Sequence, residues 1–273
     1  MNGAPGSVSL HALLFLNQRF MPNDYRPDWD IYTCNIEEHP AIIGLDLDLR
    51  RFAPLNNKPY AVHISVYLND PRPDGFPKGT EFEILGQIED TLVQQLEESL
   101  QAHFTGRTIS DGIRDFYFYT ANPSRCDKSI TEVMQGFPGY KYDFGVKEDK
   151  NWELYFDFLL PDIQELQRMQ NRKVLRTLRE HGDLAEKERH IDHWIFFATE
   201  ADRDLYWKQI QPGGFLVEGW PAEPDSELPF GLQVSRNDKT DEESIELTVM
   251  LLWELAHQMN ARYDGWETVI VAQ

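Results

Sequence analysis

The sequence has little cysteine, little basic charge and no long apolar segment. Two cysteines occur in 273 residues, and the absence of a CxxC pair or a repeated spacing excludes a disulfide framework or a thiolate metal knuckle. Lysine and arginine total 26 against 46 acidic residues, for a formal charge of -20. Because such a chain repels nucleic-acid phosphates, non-specific RNA or DNA binding is not expected. The acidic balance suits a protein partner with a basic surface.

Membrane insertion and export are not expected either. No stretch approaches the roughly 20 apolar residues that span a bilayer. The apolar run "VSLHALLFL" at residues 8–16 lacks a basic segment before it and a small-residue cleavage site after it. We therefore expect a cytoplasmic protein, with residues 1–24 as a mobile leader rich in small residues.

Residues 25–161 are predicted to form an α+β domain. Leu45, Leu47 and Leu49 alternate with charged residues, which indicates a strand with one wet face. In "EFEILGQIEDTLVQQLEESLQAHF", apolar residues recur every four positions, which indicates a long amphipathic helix. Turn residues 110–112 predict a hairpin, and "YKYDFGVKEDKNWELYFDFLLP" predicts two further strands. The expected architecture is an antiparallel sheet with one long packing helix.

Residues 162–183 are predicted to be a basic linker helix. The segment "DIQELQRMQNRKVLRTLREHG" has local positive charge in an otherwise acidic chain. Cations near a helix C-terminus are favoured by the macrodipole, so a solvated linker is the preferred interpretation. A surface for RNA or an acidic partner is the alternative.

Residues 184–273 are predicted to follow the order β-α-β-β-α-β, a ferredoxin-like sandwich with helices on one face of its sheet. Thr199 is placed to cap the first helix, and Gly213-Gly214 to end it. Thr240 and Glu243 predict a capping box for the second helix. The second sheet face is expected to stay free of helices.

The segment "RHIDH" contains three residues that could bind a metal ion or act as acid-base groups, His190, Asp192 and His193. Residues three apart on a strand point to opposite faces, so the two imidazoles are not expected to share a metal ion. We predict no metal site and no cofactor. A hydrolytic enzyme that uses these three residues in an interdomain pocket remains an alternative, although no nucleophile elbow accompanies them.

Aromatic residues on the same strand suggest binding instead of catalysis. Trp194 and Phe196 share one side of it, which we expect to be the face without helices. Some RNA-binding folds stack single-stranded bases on such aromatics, so RNA binding is a second alternative. The acidic composition favours a protein partner.

The segment "RYDGWET" near the end of the chain predicts a local constraint. Asp264-Gly265 supplies a turn or bulge with positive φ, and Tyr263 and Trp266 are expected to pack on either side of it. The preferred interpretation is that this motif locks the last strand into the sheet. The alternative is that it forms part of an interaction surface for a protein partner. The candidate interaction residues are Asp192, His193, Trp194, Phe196, Tyr263, Asp264, Gly265 and Trp266.

Three features of the second domain together resemble the RraB family, regulators that bind and inhibit ribonuclease E. They are the Asp192-His193 pair, the order of elements, and "YDGW" at 263–266. The first domain resembles domain-of-unknown-function family 695 in "DGFP", "SDGIRDFYFYT" and "WELYFDFLLP". The resemblance implies a ferredoxin-like fold, a ribonuclease as protein partner, and a regulatory role without chemistry of its own. It also implies an acidic tail, which this sequence lacks up to Gln273, so the partner of this domain stays open. The sequence leaves the oligomeric state open as well.

Overall fold

The computed structural model describes residues 24–272 and divides into two compact units, Met1–Asp162 and Ile163–Gln273. The predicted leader lies outside the described residues, apart from Asp24. Each unit combines helices with an antiparallel sheet, which confirms the predicted two-domain α+β class. Within residues 24–272, no helix has both the length and the apolar character that crossing a bilayer requires.

Unit 1 contains a six-stranded antiparallel sheet in the order β1-β2-β4-β5-β3-β6. Its elements are β1 Trp29–Ile36, β2 His39–Asp46, β3 Tyr60–Tyr67, α1 Glu81–Leu100, β4 His103–Ser110, β5 Ile113–Thr120, α2 Cys126–Met134 and β6 Tyr142–Glu148. The predicted long helix is α1, whose Leu85, Ile88 and Leu92 are buried with Ile64 and Phe116 of the sheet. The predicted hairpin joins β4 to β5 through Asp111 and Gly112, both with positive φ.

The strand predicted through Leu49 is shorter than expected. β2 ends at Asp46, and Leu47–Arg51 form a 3-10 helix. The Asp46 carboxylate accepts the Asp48 N–H at 3.0 Å and so caps this turn. The same carboxylate accepts the Asp28 N–H at 2.9 Å and the Tyr25 hydroxyl. The cap therefore depends on residues about 20 positions earlier, which alternation along the strand cannot show.

The second strand predicted in "YKYDFGVKEDKNWELYFDFLLP" is also wrong. β6 forms, but Leu154–Leu159 adopt a π-helical turn. The buried Asp149 carboxylate accepts the N–H groups of Glu153 and Leu154 at 2.9 and 3.0 Å, which starts the turn. Trp152, at φ 57, stacks on Tyr119 with 3.9 Å between ring centroids. These contacts favour a helical turn over an extended strand.

Unit 2 has a four-stranded sheet in the order β10-β7-β9-β8, all antiparallel, which is the predicted ferredoxin-like arrangement. Its elements are α3 Ile163–Glu180, β7 Arg189–Phe197, α4 Glu200–Ile210, β8 Leu216–Gly219, β9 Phe230–Asp238, α5 Glu242–Gln258 and β10 Arg262–Thr268. Thr199 caps α4 as predicted, accepting the Asp202 N–H at 3.1 Å. The cap of α5 is Asp241, and Thr240 instead donates to Asp183.

Helix α3, predicted as a solvated linker, is packed within unit 2. Its Leu175 and Leu178 are buried in the same core as Ile191 and Ile195 of β7. On the neighbouring helix α5, Glu246 accepts a hydrogen bond from Arg168 at 2.7 Å. The apolar side chains of α3 thus belong to the core, while its cations reach partners on the surface.

Candidate interaction surface

The alternation of β7 divides the predicted site residues between two faces of the sheet. Ile191, His193 and Ile195 are fully buried on the face that packs against the helices. Asp192 and Trp194 are partly exposed on the opposite face. We call that opposite face the open face, and it includes His190, Asp192, Trp194, Phe196, Leu216, Glu218, Gln233, Ser235, Arg262, Asp264, Gly265 and Glu267.

A β-bulge in β10 changes where the aromatic residues of "YDGW" point. Tyr263 pairs with Ile195, Gly265 with Trp194, and Trp266 with His193, so the register shifts between Tyr263 and Gly265. Gly265 has φ +133, as the predicted bulge requires. Because one residue is extra, Tyr263 and Trp266, which flank the Asp264-Gly265 bulge, both lie on the same face of the sheet. That face is the one the helices cover, and each residue is only 8% exposed.

Beneath the helices these aromatics form polar contacts with His193 and α3. The Tyr263 hydroxyl lies 2.8 Å from His193 Nδ1. The Trp266 indole donates to Asn171 Oδ1 at 3.1 Å, and Gln167 Nε2 donates to the same oxygen at 3.1 Å. Burial, with a smaller effect of Arg236, lowers the pKa of His193 to about 3, so its imidazole is neutral near pH 7. These buried residues lock β10 to β7 and α3 and leave little surface for a partner.

The open face carries a row of carboxylates across neighbouring strands. Glu267 of β10 pairs in register with Asp192 of β7, and Glu218 of β8 reaches the same row. Asp192 accepts a hydrogen bond from Gln233 at 3.0 Å and lies 3.2 Å from His190 Nε2. Glu267 is exposed beside these pairs. The row of carboxylates, with Trp194 next to it, is complementary to a protein surface that carries basic side chains and an apolar patch.

Phe196 does not add to an aromatic platform. It is 5% exposed, and the Arg262 guanidinium lies over its ring at 4.8 Å from the centroid. The segment after β8 folds back over this end of the face, where Pro221 accepts the Gly231 N–H at 2.8 Å. A Cβ added at Gly231 would meet Pro221 O at 2.5 Å. Trp194 is left beside carboxylates, an arrangement that disfavours base stacking and phosphate binding.

The two histidines do not converge on one reacting centre. His190 is exposed on the open face, and His193 is fully buried on the other. His193 therefore cannot reach a substrate, and the alternative enzyme site keeps only His190 and Asp192. Across residues 24–272, no group of three or more His, Cys, Asp or Glu side chains is placed to hold a metal ion.

Sequence reasoning missed two contributors to this region. Asn171 lies in a segment interpreted as a linker, and the only signal there is that Asn is a weak helix former inside a helix. Glu267 becomes a neighbour of Asp192 only when the bulge is counted in the register. An unbulged strand would place it on the other face.

The comparisons with known proteins assign both regions. Residues 27–160 match DUF695, described as a family of unknown function. Residues 168–268 match RraB, described as regulator of ribonuclease activity B. We call the second region the RraB domain after this match. Both predicted resemblances are thus confirmed, in the predicted order.

The RraB match begins within α3 and ends at Thr268, the last residue of β10. It includes Asn171, the buried His193 cluster and the open face, so α3 belongs to the RraB domain. The family indicates a role in the regulation of a ribonuclease. No curated protein matches the chain.

One solved structure similar to the chain is described as "Crystal structure of putative glycine cleavage system transcriptional repressor". Its TM-score is 0.21 at 8% sequence identity, over 78% of this chain and 98% of that chain. At this level of similarity it supports no argument about function.

Proposed function

We propose that the RraB domain binds an endoribonuclease of the ribonuclease E type through the open face and lowers its activity without chemistry of its own. The match of residues 168–268 to a family of ribonuclease regulators carries this proposal. The split of the candidate residues supports the choice of surface, because Asp192, Trp194 and Asp264 remain accessible while His193, Tyr263 and Trp266 are buried.

Charge supports a protein contact over an RNA contact. Glu267, Asp192 and Glu218 would repel RNA phosphates and attract the lysines and arginines of a ribonuclease's nucleic-acid-binding surface. Occupying such a surface would compete with RNA, which is a direct route to inhibition. The binding should weaken as salt rises, because exposed charge pairs are screened.

The experiment measures cleavage of a fluorogenic single-stranded RNA by a purified ribonuclease E-type catalytic domain while the full chain is titrated in. Binding is followed in parallel by biolayer interferometry. We expect saturable inhibition whose midpoint equals the dissociation constant. Glu267→Lys should raise both by about tenfold, the equivalent of ~1.4 kcal/mol, because a repulsive charge replaces an attractive one.

Glu254→Lys is the matched control. It makes the same charge change on α5, where Glu254 accepts a surface hydrogen bond from Gln164 at 2.9 Å. It should leave the midpoint unchanged. Equal weakening by both variants would show only a net-charge effect, and an absence of binding by the wild-type chain would reject this partner. Binding of the chain to the RNA alone would favour the RNA alternative.

A further inference from the structure

Strand β6 ends the unit 1 sheet and pairs with β3 alone among the described strands. Its register with β3 runs from Tyr142 to Glu148 without a bulge. The six residues after Tyr142 are all exposed, including Phe144 at 40% and Val146 at 41%. Edge strands are usually protected by a bulge, a proline, exposed charges such as lysine, or a covering element, because their free backbone groups can pair with another strand. Residues 142–148 contain neither a bulge nor a proline, so the charges of β6 are what a pairing strand must match.

The sequence of β6, "YDFGVKE", is complementary to itself when it is reversed about Gly145. An antiparallel pair centred on this glycine places Asp143 opposite Lys147 and Phe144 opposite Val146. The pairs also separate by face. Phe144 and Val146 pair in register with the buried Ile64 and Val62 of β3, so they share the helix-covered side of the sheet. Asp143 and Lys147 lie on the other side.

We propose that two copies of this chain associate by antiparallel pairing of β6 with β6 about Gly145, which joins their unit 1 sheets into one continuous sheet. A two-fold axis through Gly145 forms each contact twice, so two Asp143–Lys147 ion pairs lie on one face and two Phe144–Val146 pairs on the other. The self-complementary charge pattern makes a second copy the fitting occupant of this edge.

The present partners of these charges leave them available. Lys147 is 76% exposed and lies 3.9 Å from Glu153, at the outer limit of an ion pair. Asp143 accepts the Tyr67 hydroxyl at 2.8 Å on the same sheet, and a carboxylate can accept a second donor. A strand pair of this length buries little area compared with a standard interface. We therefore expect a reversible, concentration-dependent dimer.

The experiment is sedimentation velocity of the full chain over a concentration series, with wild type, Asp143→Lys, Lys147→Asp and an equimolar mixture of the two variants. Wild type should show a monomer–dimer equilibrium. Each variant alone should raise the dimer dissociation constant by about tenfold or more, because like charges then face each other twice. The mixture should return to the wild-type value, since in a mixed dimer each lysine of the first variant faces an aspartate of the second.

Lys150→Asp is the control. It reverses an exposed charge just beyond β6, where Lys150 pairs with Glu148, and should leave the dissociation constant unchanged. All variants are first compared by thermal unfolding, so that a folding defect is not mistaken for weaker association. Wild-type chain that stays monomeric throughout overturns the proposal, and so does a mixture no better than the separate variants. None of these outcomes depends on the ribonuclease proposed for unit 2.

Discussion

The indole N–H of Trp266 donates to Oδ1 of Asn171 at 3.1 Å, across a sequence separation of 95 residues. This bond joins β10, the last strand of the RraB domain, to α3, its first helix. The conspicuous aromatic of the "YDGW" motif therefore closes the domain from inside. A substitution of Trp266 is therefore expected to change the stability of the domain first.

Trp266→Ala is expected to lower the free energy of unfolding of unit 2 by about 3–5 kcal/mol, because it removes a large buried side chain and leaves Asn171 without its indole donor. Urea unfolding followed by circular dichroism measures this. Trp220→Ala is the matched control, since Trp220 is 51% exposed and packs under Arg203 on the surface. Its expected cost is within about 1 kcal/mol. Equal costs for the two variants would contradict the buried placement of Trp266.

His193 predicts a specific acid sensitivity. Burial lowers its pKa to about 3, whereas the unfolded chain binds a proton near pH 6.5. Between these values the unfolded state holds the extra proton, so the free energy of unfolding falls as pH falls, by about 1.4 kcal/mol per pH unit. His193→Gln should lower stability at neutral pH and also flatten this slope between about pH 6 and pH 4. Urea unfolding across that range, with the exposed His181→Gln as control, tests the slope. A slope unchanged in His193→Gln would show that the imidazole is not buried neutral.

Gly265→Ala should destabilise unit 2 through its backbone alone. Gly265 has φ +133, yet a Cβ built there meets no atom within 4 Å. The expected cost is about 1–3 kcal/mol, from a conformation that L residues rarely adopt. Gly213→Ala is the comparison, because its Cβ would lie at an ordinary 3.4 Å from Phe215 and its φ is not in the positive range. Thermal unfolding should separate the two, and a neutral Gly265→Ala would argue against the bulge.

The buried Asp149 carboxylate predicts that unit 1, like unit 2, loses stability in acid. Burial raises the pKa of this carboxyl, but hydrogen bonds from the Tyr119 hydroxyl and the Leu154 and Glu153 N–H groups outweigh it, and the pKa lies below the usual 3.8. The stability it contributes is present above that pH and is lost as the carboxylate protonates in acid. Asp149→Asn should cost about 1.5–3 kcal/mol near neutral pH, the range for hydrogen bonds to charged groups. Chemical unfolding measures the cost, and the exposed Asp157→Asn in the same turn should be nearly neutral.

Local periodicity was enough to predict much of this fold. The four-residue spacing of apolar side chains placed α1, and Asp111-Gly112 placed the hairpin between β4 and β5. The Asp264-Gly265 pair predicted a bulge because few other dipeptides accept its backbone geometry. In each of these cases the determining residues are close together in the sequence.

The errors arose where distant residues determine the local conformation. Leu47 and Leu49 alternate like strand residues, but the cap on Asp46 is completed by Tyr25 and Asp28. The aromatic residues after Trp152 are typical of a strand, but the Asp149 carboxylate accepts the N–H groups that start a helical turn there. At the candidate site, alternation showed that His193 and Trp194 oppose each other, and Trp194 lies on the face expected to be free of helices. The local pattern could not show that the bulge turns Tyr263 and Trp266 to the buried face beside His193, because that depends on the pairing with β7.

The bulge at Gly265 also determines the register of β10 on β7. Sliding this strand along β7 by one residue would turn Tyr263 and Trp266 out to water and force a side chain other than glycine into a backbone conformation it resists. Both penalties apply to a slip in either direction, so the short motif disfavours the neighbouring registers. It selects one alignment of the last strand, and with it the one alignment that brings Glu267 beside Asp192 on the exposed side.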